Sequence, residues 1–251
     1  MLDYTTEAAH YDRTRGGVPR AEACAAAIRE LLPERTGRLL DLACGTGIVT
    51  ERLTAPGRQV VGVDPAFGMT ARAAERLPGA VVRGDGTRLP FLDATFDAVT
   101  AVWLLHLVPD AAPVIAECAR VLRPGGVLVA TVDKVAGHDT GSDIDALLGP
   151  HRGGRITDER DHVLGLGRSH GLAFPAETAF DGHGQGRTPR GVARDLRRGW
   201  FAKSLALRGA GLEALASRME HLPSPDEPRG DPRFRVVALV RDSGDVPAAA
   251  G

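Results

Sequence analysis

The stretch that decides the fold is LLDLACGTGIVTERL, Leu39 to Leu53. An apolar run ends in Asp41, Gly45 and Gly47 follow in quick succession, and a helical pattern begins. Glycine reaches backbone conformations closed to other residues and lets another molecule lie against the main chain. Bare backbone directly after a strand therefore predicts a place where a polar small molecule meets the chain.

The same rhythm extends outward. Cys24, Ile28, Leu31 and Leu32 share one helical face, which predicts a helix from Pro19 to about Leu32, closed by Pro33 and Gly37. RLLDLA reads as a short buried strand, and Ile48 to Thr54 as the helix after the glycine turn. QVVGVD (59–64), Ala80 to Val82, FDAVTAVW (96–103) and GVLVATV (126–132) read as further strands. Helices are expected between them at Met69–Leu77 and around Val114, Cys118, Val121 and Leu122. Strand and helix alternating at this spacing predict βαβ units, a parallel sheet and right-handed crossovers. Ligands of such sheets bind at the carboxyl ends of the strands.

Beyond Val132 the rhythm breaks. Helices are expected at Asp158–His170, Pro189–Lys203 and Gly211–His221, with an edge strand at LAFPAETAF, where Pro175 forbids a central position. FRVVALVR (234–241) is a last strand that must join the sheet, so the chain reads as one domain over 1–241. Its parts are an N-terminal helical lid (1–36, polar and mobile before His10), a cofactor core (37–133), a substrate-side cap (134–232) and the last strand (233–241), before a disordered tail (242–251).

Composition narrows the function. The 251 residues carry a net charge of -1, so no general field favours nucleic acid or a membrane surface. No run approaches the ~18 apolar residues of a membrane helix. Cys24, Cys44 and Cys118 are too few and too scattered for a disulfide framework or a zinc site, and with no signal-like N-terminus they predict a cytoplasmic setting. No histidine pair has metal-ligand spacing, so no metal is expected.

A nicotinamide dinucleotide would ask for GxGxxG, but Thr50 stands where the third glycine belongs. Asp41 would also oppose a pyrophosphate and suits a ligand with an ammonium group. In DLACGTG the chain resembles the first motif of class I S-adenosylmethionine-dependent methyltransferases. The resemblance continues in order through VVGVDPAFGM, GDGTRLPF, FDAVTAVWLLHLVPD and RVLRPGG. It implies a Rossmann-like α/β fold, a mostly parallel seven-stranded sheet of order 3-2-1-4-5-7-6 with the last strand antiparallel, and S-adenosyl-L-methionine as cofactor. It places Asp64 on both ribose hydroxyls and Asp85 on the adenine amino group. Pro65, Met69, Gly86 and Ala101 are expected to complete the cofactor wall. Asp41, Ala43, Gly45 and Gly47 are expected under the methionine tail, Ala43 departing from the family's frequent glycine but tolerable at a negative φ.

YDRTRGG looks like an N-terminal segment that folds over the cofactor, with Tyr11 near the sulfonium, Arg15 on the methionine carboxylate and Gly16-Gly17 as a hinge. His106 is the first candidate for a base and also for a cofactor contact; His183 in a roof loop is the second, and Tyr11 counts with them. Trp103, His183 and Trp200 are the candidate substrate contacts. The expected function is methyl transfer to a small molecule, with a faint likeness to bacterial natural-product enzymes that methylate an indole carbon in tryptophan-derived or cyclic-dipeptide substrates. Three rivals stay open: an O- or N-methyltransferase of a quinone, phenol or RNA, a nicotinamide-dependent oxidoreductase, and a non-enzymatic cofactor-binding sensor. The sequence leaves monomer or homodimer open.

Overall fold

The computed structural model describes residues 4–154, 156–201 and 204–243. Most of the expected tail, and Ala202 and Lys203 at the end of the helix expected from Pro189, lie outside these residues.

The elements follow in chain order. An N-terminal set comprises α1 (Tyr4–Glu7), α2 (Tyr11–Thr14) and α3 (Gly17–Leu31). The alternating half runs β1 (Arg38–Leu42), β2 (Gln59–Asp64), α4 (Phe67–Arg76), β3 (Val81–Arg83), β4 (Phe96–Ala101), α5 (Ala112–Val121) and β5 (Leu122–Val132). The remainder is α6 (Lys134–Gly137), α7 (Asp143–Leu148), α8 (Arg160–Ser169), β6 (Leu172–Asp181), α9 (Pro189–Arg197), α10 (Ala210–Glu220) and β7 (Arg233–Arg241). The sheet order is β3-β2-β1-β4-β5-β7-β6, as the resemblance implies. β1 to β5 run parallel, and β7 enters antiparallel between β5 and β6.

Strand periodicity explains the two-sided core. Adjacent side chains on a strand point to opposite faces. Leu39 therefore packs with Ile28, Cys24 and Ala25 of α3, while Leu40 packs with Ile115 and Cys118 of α5 and Val163 of α8. Both faces being covered, the central strands read as continuous apolar runs. A third apolar cluster lies apart from the sheet: Ile144 and Leu148 of α7 meet Val192 and Leu196 of α9 and Leu215 and Met219 of α10. This small core makes the cap a packed body.

Several expectations are corrected. The helix expected over Ile48–Thr54 is one 3-10 turn, Thr50–Leu53. The preceding residues are spent on the turn, with Gly45 and Gly47 at φ 56° and 76°, and Pro56 follows closely. The helix expected to reach Lys203 stops at Arg197. Gly199, at φ 74°, donates to the Leu196 carbonyl and Trp200 to that of Asp195, a Schellman end. The N-terminus does not wait until His10 to become ordered: α1 lies on α4, and a Cβ on Gly68 would stand 2.2 Å from the Thr5 carbonyl oxygen. Helix α7 was not expected; Ser142 and Asp145 start it with a capping box that the polar run concealed.

Ala43 has φ 58°, not the negative value expected. The left-handed conformation costs a non-glycine residue ~1 kcal/mol and a β-branched one more. Ala43→Gly is expected to keep or raise the melting temperature, whereas Ala43→Val is expected to lower stability by ~1–3 kcal/mol; thermal denaturation of both variants checks this.

Candidate active site

The site is built where β1 and β2 end. After β1 the chain passes through left-handed backbone at Ala43, Gly45 and Gly47. The turn is tied down by Cys44 N donating to the Val63 carbonyl at 3.0 Å and Gly47 N donating to the Cys44 carbonyl at 2.9 Å. Gly47 sits against α4, where a Cβ would lie 3.1 Å from Ala73 Cα. Above Gly45 there is open space, since a Cβ there would meet nothing within 4 Å. Glycine is thus required by packing at one position and leaves an open approach at the other.

Asp64 joins the two strand ends. Its Oδ2 accepts from Gly45 N at 3.0 Å and its Oδ1 from Ala66 N at 2.8 Å. Burial raises its pKa, opposed by these two bonds. A carboxylate oxygen can accept two hydrogen bonds, so each retains capacity for a ligand hydroxyl.

Asp41 plays another part than expected. It is buried, and its oxygens accept from the hydroxyls of Thr50 (2.5 Å) and Thr100 (2.6 Å). It is thus spent inside the protein and not presented to a ligand ammonium. Thr50, the residue that breaks the dinucleotide pattern, is one of its two donors. Ala101 and Met69 are also buried, at 1% and 2% exposure, so their side chains form floor and not wall. Asp85 is exposed, and its Oδ1 accepts from the backbone and hydroxyl of Thr87 in a local turn. Pro65 is exposed beside Asp64, and Gly86 lies over Leu42, 3.3 Å from its Cδ1 to an added Cβ.

The N-terminal segment closes over this turn. Asp12 Oδ1 accepts from the Thr46 hydroxyl at 2.5 Å, and Arg76 donates to Asp12 Oδ2 at 2.8 Å and to the Thr46 carbonyl at 2.6 Å. Tyr4 and Tyr11 meet edge to face at 6.2 Å. Tyr4 is pushed up to about 12, chiefly by burial, with Tyr11 and Asp64 adding to the shift. The Arg15 guanidinium lies 5.8 Å from the Tyr11 ring and 5.5 Å from that of Trp200. Gly16 adopts φ 83° and packs on the His183 carbonyl, which would stand 2.1 Å from a Cβ. His183 thus seats the lid through its backbone, while the residue itself is exposed.

The carboxyl ends of β4 and β5 form the other wall. Trp103 is left-handed, φ 53°, and its N–H donates to the Thr131 hydroxyl at 2.6 Å. Its ring is enclosed: Arg20 covers one face at 4.1 Å, and Phe180 and Phe234 pack edge-on at 5.7 Å. Trp103 is therefore a wall of the site and not an open stacking surface. The following loop, with half-buried His106, is held by Thr157, whose hydroxyl donates to the Leu105 carbonyl at 2.7 Å. His138 packs on Phe234 at 5.3 Å and is held neutral, its pKa lowered to about 2 by burial and by Arg187, Lys134, His106 and Arg15.

The structure brings Asp64 and Gly45 together at the strand ends, and Tyr11, Arg15 and Trp200 together at the N-terminal segment, while Trp103 stands after β4 under Arg20. Sequence reasoning missed Tyr4, Asp12, Arg20, Lys134, His138 and Arg187. Tyr4 and Tyr11 stand seven residues apart, two helical turns, which is the one signal that could have paired them. Among the described residues, no group of histidine, cysteine, aspartate and glutamate could hold a metal, and no helix is long and apolar enough to cross a membrane.

Residues 40–130 match the family model described as a methyltransferase domain. The chain is 48% identical over 93 residues to a demethylmenaquinone methyltransferase of Beutenbergia cavernae, covering 37% of this chain and 39% of that protein. A protein of the same name from Thermobifida fusca is 46% identical over 97 residues, covering 36% and 41%. The chain thus spans about two fifths of the length of these curated relatives. The fold is similar to that of the [4+2]-cyclase SpnF, with a TM-score of 0.62, 21% identity and coverage of 96% and 95%. It is also similar to a Haloferax volcanii methyltransferase in complex with its Trm112 activator, with a TM-score of 0.61, 17% identity and coverage of 96% and 99%.

Residues 40–130 are similar to a methyltransferase domain, and the sheet that contains them has the fold of class I S-adenosylmethionine-dependent methyltransferases. The cofactor this domain implies is S-adenosylmethionine, and the strand ends fit it: open backbone at Gly45, and a carboxylate at Asp64 with acceptor capacity left.

The buried Asp41 carries a pH dependence. Burial pushes it up to about 6 despite its two threonine bonds. The folded state then holds a proton that the unfolded state has lost between about pH 4 and 6. Its contribution is full below that window and lost as pH rises through 6. The melting temperature of the parent relative to Asp41→Asn should therefore grow as pH falls from 7 to 4, by the equivalent of up to ~3 kcal/mol.

Proposed function

We propose that the protein transfers a methyl group from S-adenosylmethionine to a small flat aromatic acceptor, an indole carbon of a tryptophan-derived compound being the specific case. The observation that carries this reading is the Asp64 carboxylate, clamped by Gly45 and Ala66 at the end of β2 beside the open backbone of Gly45. The bound cofactor supplies a methyl carbon activated by a sulfonium. This chain then has to bind, orient, shield and, where the acceptor needs it, take a proton.

In this reading Asp64 holds the vicinal hydroxyls and Asp85 the polar edge of the adenine. Tyr4, Tyr11 and Arg15 lie on the lid, Arg15 with a guanidinium suited to a carboxylate. The Asp12–Arg76–Thr46 contacts close that lid over the turn and exclude water. Acceptor selection falls to the wall of Trp103, Phe180 and Phe234 and to the cap. An indole carbon is nucleophilic without full deprotonation, so such a reaction depends on position more than on a strong base. His106, after β4, is the proton acceptor in this reading.

The similarity to a demethylmenaquinone methyltransferase covers 37% of this chain and 39% of that protein, so it does not by itself carry over the acceptor. A similar fold is named a cyclase, so cofactor binding alone is not the test and methyl transfer has to be measured. Labelled-methyl transfer to a panel of indoles, phenols and amines should show turnover on aromatic acceptors and none without S-adenosylmethionine. No transfer to any class by protein that binds the cofactor would remove the reading. Asp64→Ala should weaken S-adenosylhomocysteine binding at least tenfold by calorimetry, two hydroxyl bonds to a charged acceptor being worth ~1.5–3 kcal/mol each. His106→Ala should lower kcat with cofactor affinity kept; an unchanged kcat would assign His106 to packing.

A further inference from the structure

The ion pairs of this protein are unevenly spread. Arg52, Arg76, Arg120, Arg123, Arg160 and Arg197 all face carboxylates within 4 Å. Among the described residues, Arg15, Arg20, Lys134 and Arg187 make no ion pair, as is true of exposed arginines such as Arg29 and Arg88, but these four are not exposed. The three arginines rest on aromatic rings instead: Arg15 between Tyr11 and Trp200, Arg20 at 4.1 Å over Trp103, and Arg187 at 5.6 Å over Phe201. A guanidinium on a ring keeps its in-plane N–H donors free for an oxyanion.

Two of those donors are conspicuous. Arg20 is 4% exposed, and its buried Nε has no partner. Nε1 of Trp103, beneath that guanidinium, is likewise buried and unpartnered. Buried donors without an acceptor are costly, so two on one stacked pair point to a place that a ligand oxygen would complete. Lys134 follows β5 directly, at the same strand ends, and Arg187 follows the loop that seats the lid. In the nearby carboxylates of Asp145, Asp158 and Asp195, Oδ1 is buried and without a hydrogen-bond partner, and none of them comes within ion-pair distance of Arg20, Lys134 or Arg187. Asp158 Oδ2 accepts from Lys134 N at 2.9 Å, Asp145 is held by Thr140 and Ser142, and Asp195 lies 3.5 Å from Arg194.

We propose that the acceptor is an acid, an aromatic small molecule whose carboxylate is received by Arg20, Lys134 and Arg187 beside the Trp103 indole N–H. The proposal rests on the methyl-transfer reading of the site and sharpens it: a tryptophan-derived acceptor that keeps its carboxylate fits, and a neutral cyclic dipeptide does not. Arg15, on the lid, is left for the methionine carboxylate of the cofactor, so the two carboxylates have separate cations.

Lys134 gives the site a pH signature. Burial and the like charges of Arg15, Arg187 and Arg20 pull it down to about 8, against Asp158, which favours its charge. His138 faces the same group but is held neutral. Affinity for an anion should fall as pH rises through 8, because the ammonium is lost there.

The test uses the full chain saturated with S-adenosylhomocysteine and a matched pair of probes, benzoate and benzamide. Binding is followed by tryptophan fluorescence, since Trp103 lies against Arg20 of the proposed site. Benzoate should bind at least tenfold more tightly than benzamide. Arg187→Gln and Lys134→Met should each cut benzoate affinity at least fivefold, and Lys134→Met should abolish the loss of affinity across pH 8. Arg20 is left intact, because its burial could make a variant unfold. Equal binding of the two probes, no benzoate binding by protein that holds S-adenosylhomocysteine, or benzoate affinity unchanged in both variants would overturn the proposal. Failure to bind S-adenosylhomocysteine at all would instead remove the methyl-transfer reading.

Discussion

The arrangement depends on a carboxylate sealed inside the sheet. Asp41 is buried, and its two oxygens are met by the hydroxyls of Thr50 and Thr100. Those bonds tie three pieces of chain together: the end of β1, the 3-10 turn after it, and β4. Burying a carboxylate without partners would be prohibitive, so the donors are obligatory. With the strand end fixed in this way, the chain has only a few residues in which to leave the sheet. It does so through left-handed backbone at Ala43, Gly45 and Gly47. Asp64 then clamps the outgoing turn from the neighbouring strand. The cradle is thus made by one hidden carboxylate and completed by one at the surface of the site.

What lies above the cradle is held more lightly. Asp12 and Arg76 are partly solvated, and ion pairs of that kind contribute roughly 0–1 kcal/mol. The walls further out follow the opposite logic. Arg20, Lys134 and Arg187 are drawn out of water without carboxylate partners, and the aromatic rings beneath the two arginines compensate only part of that cost. Asp158, Asp145 and Asp195 offset part of the remainder at longer range, and the proposed anionic ligand would supply the direct partner.

The cofactor half was legible because its constraints are local. Continuous apolar runs, a glycine turn and acids at strand ends lie within a few residues of one another, and the sheet order followed from them with the resemblance. The departures also have local causes: Ala43 takes a conformation the sequence does not announce, and Gly199 stops α9 early. The acceptor side was not legible in this way. Arg20 lies on a helix, Lys134 after a strand and Arg187 in a loop, so no spacing connects them and only the fold does. His183 shows the reverse error, since a residue type that suggests chemistry here supplies a backbone carbonyl to Gly16. Trp103 was placed at the correct strand end, but its ring is covered by Arg20, Phe180 and Phe234.

The central claim is that the turn after β1 is shaped for S-adenosylmethionine and not for a dinucleotide, because Thr50 is committed to Asp41 and Asp64 faces the open backbone at Gly45. Calorimetric titration of the full chain with S-adenosylhomocysteine and, in a parallel cell, with NADH tests this most directly. One-to-one binding of S-adenosylhomocysteine is expected, with no heat from NADH beyond dilution. Binding of NADH with none of S-adenosylhomocysteine would contradict the claim.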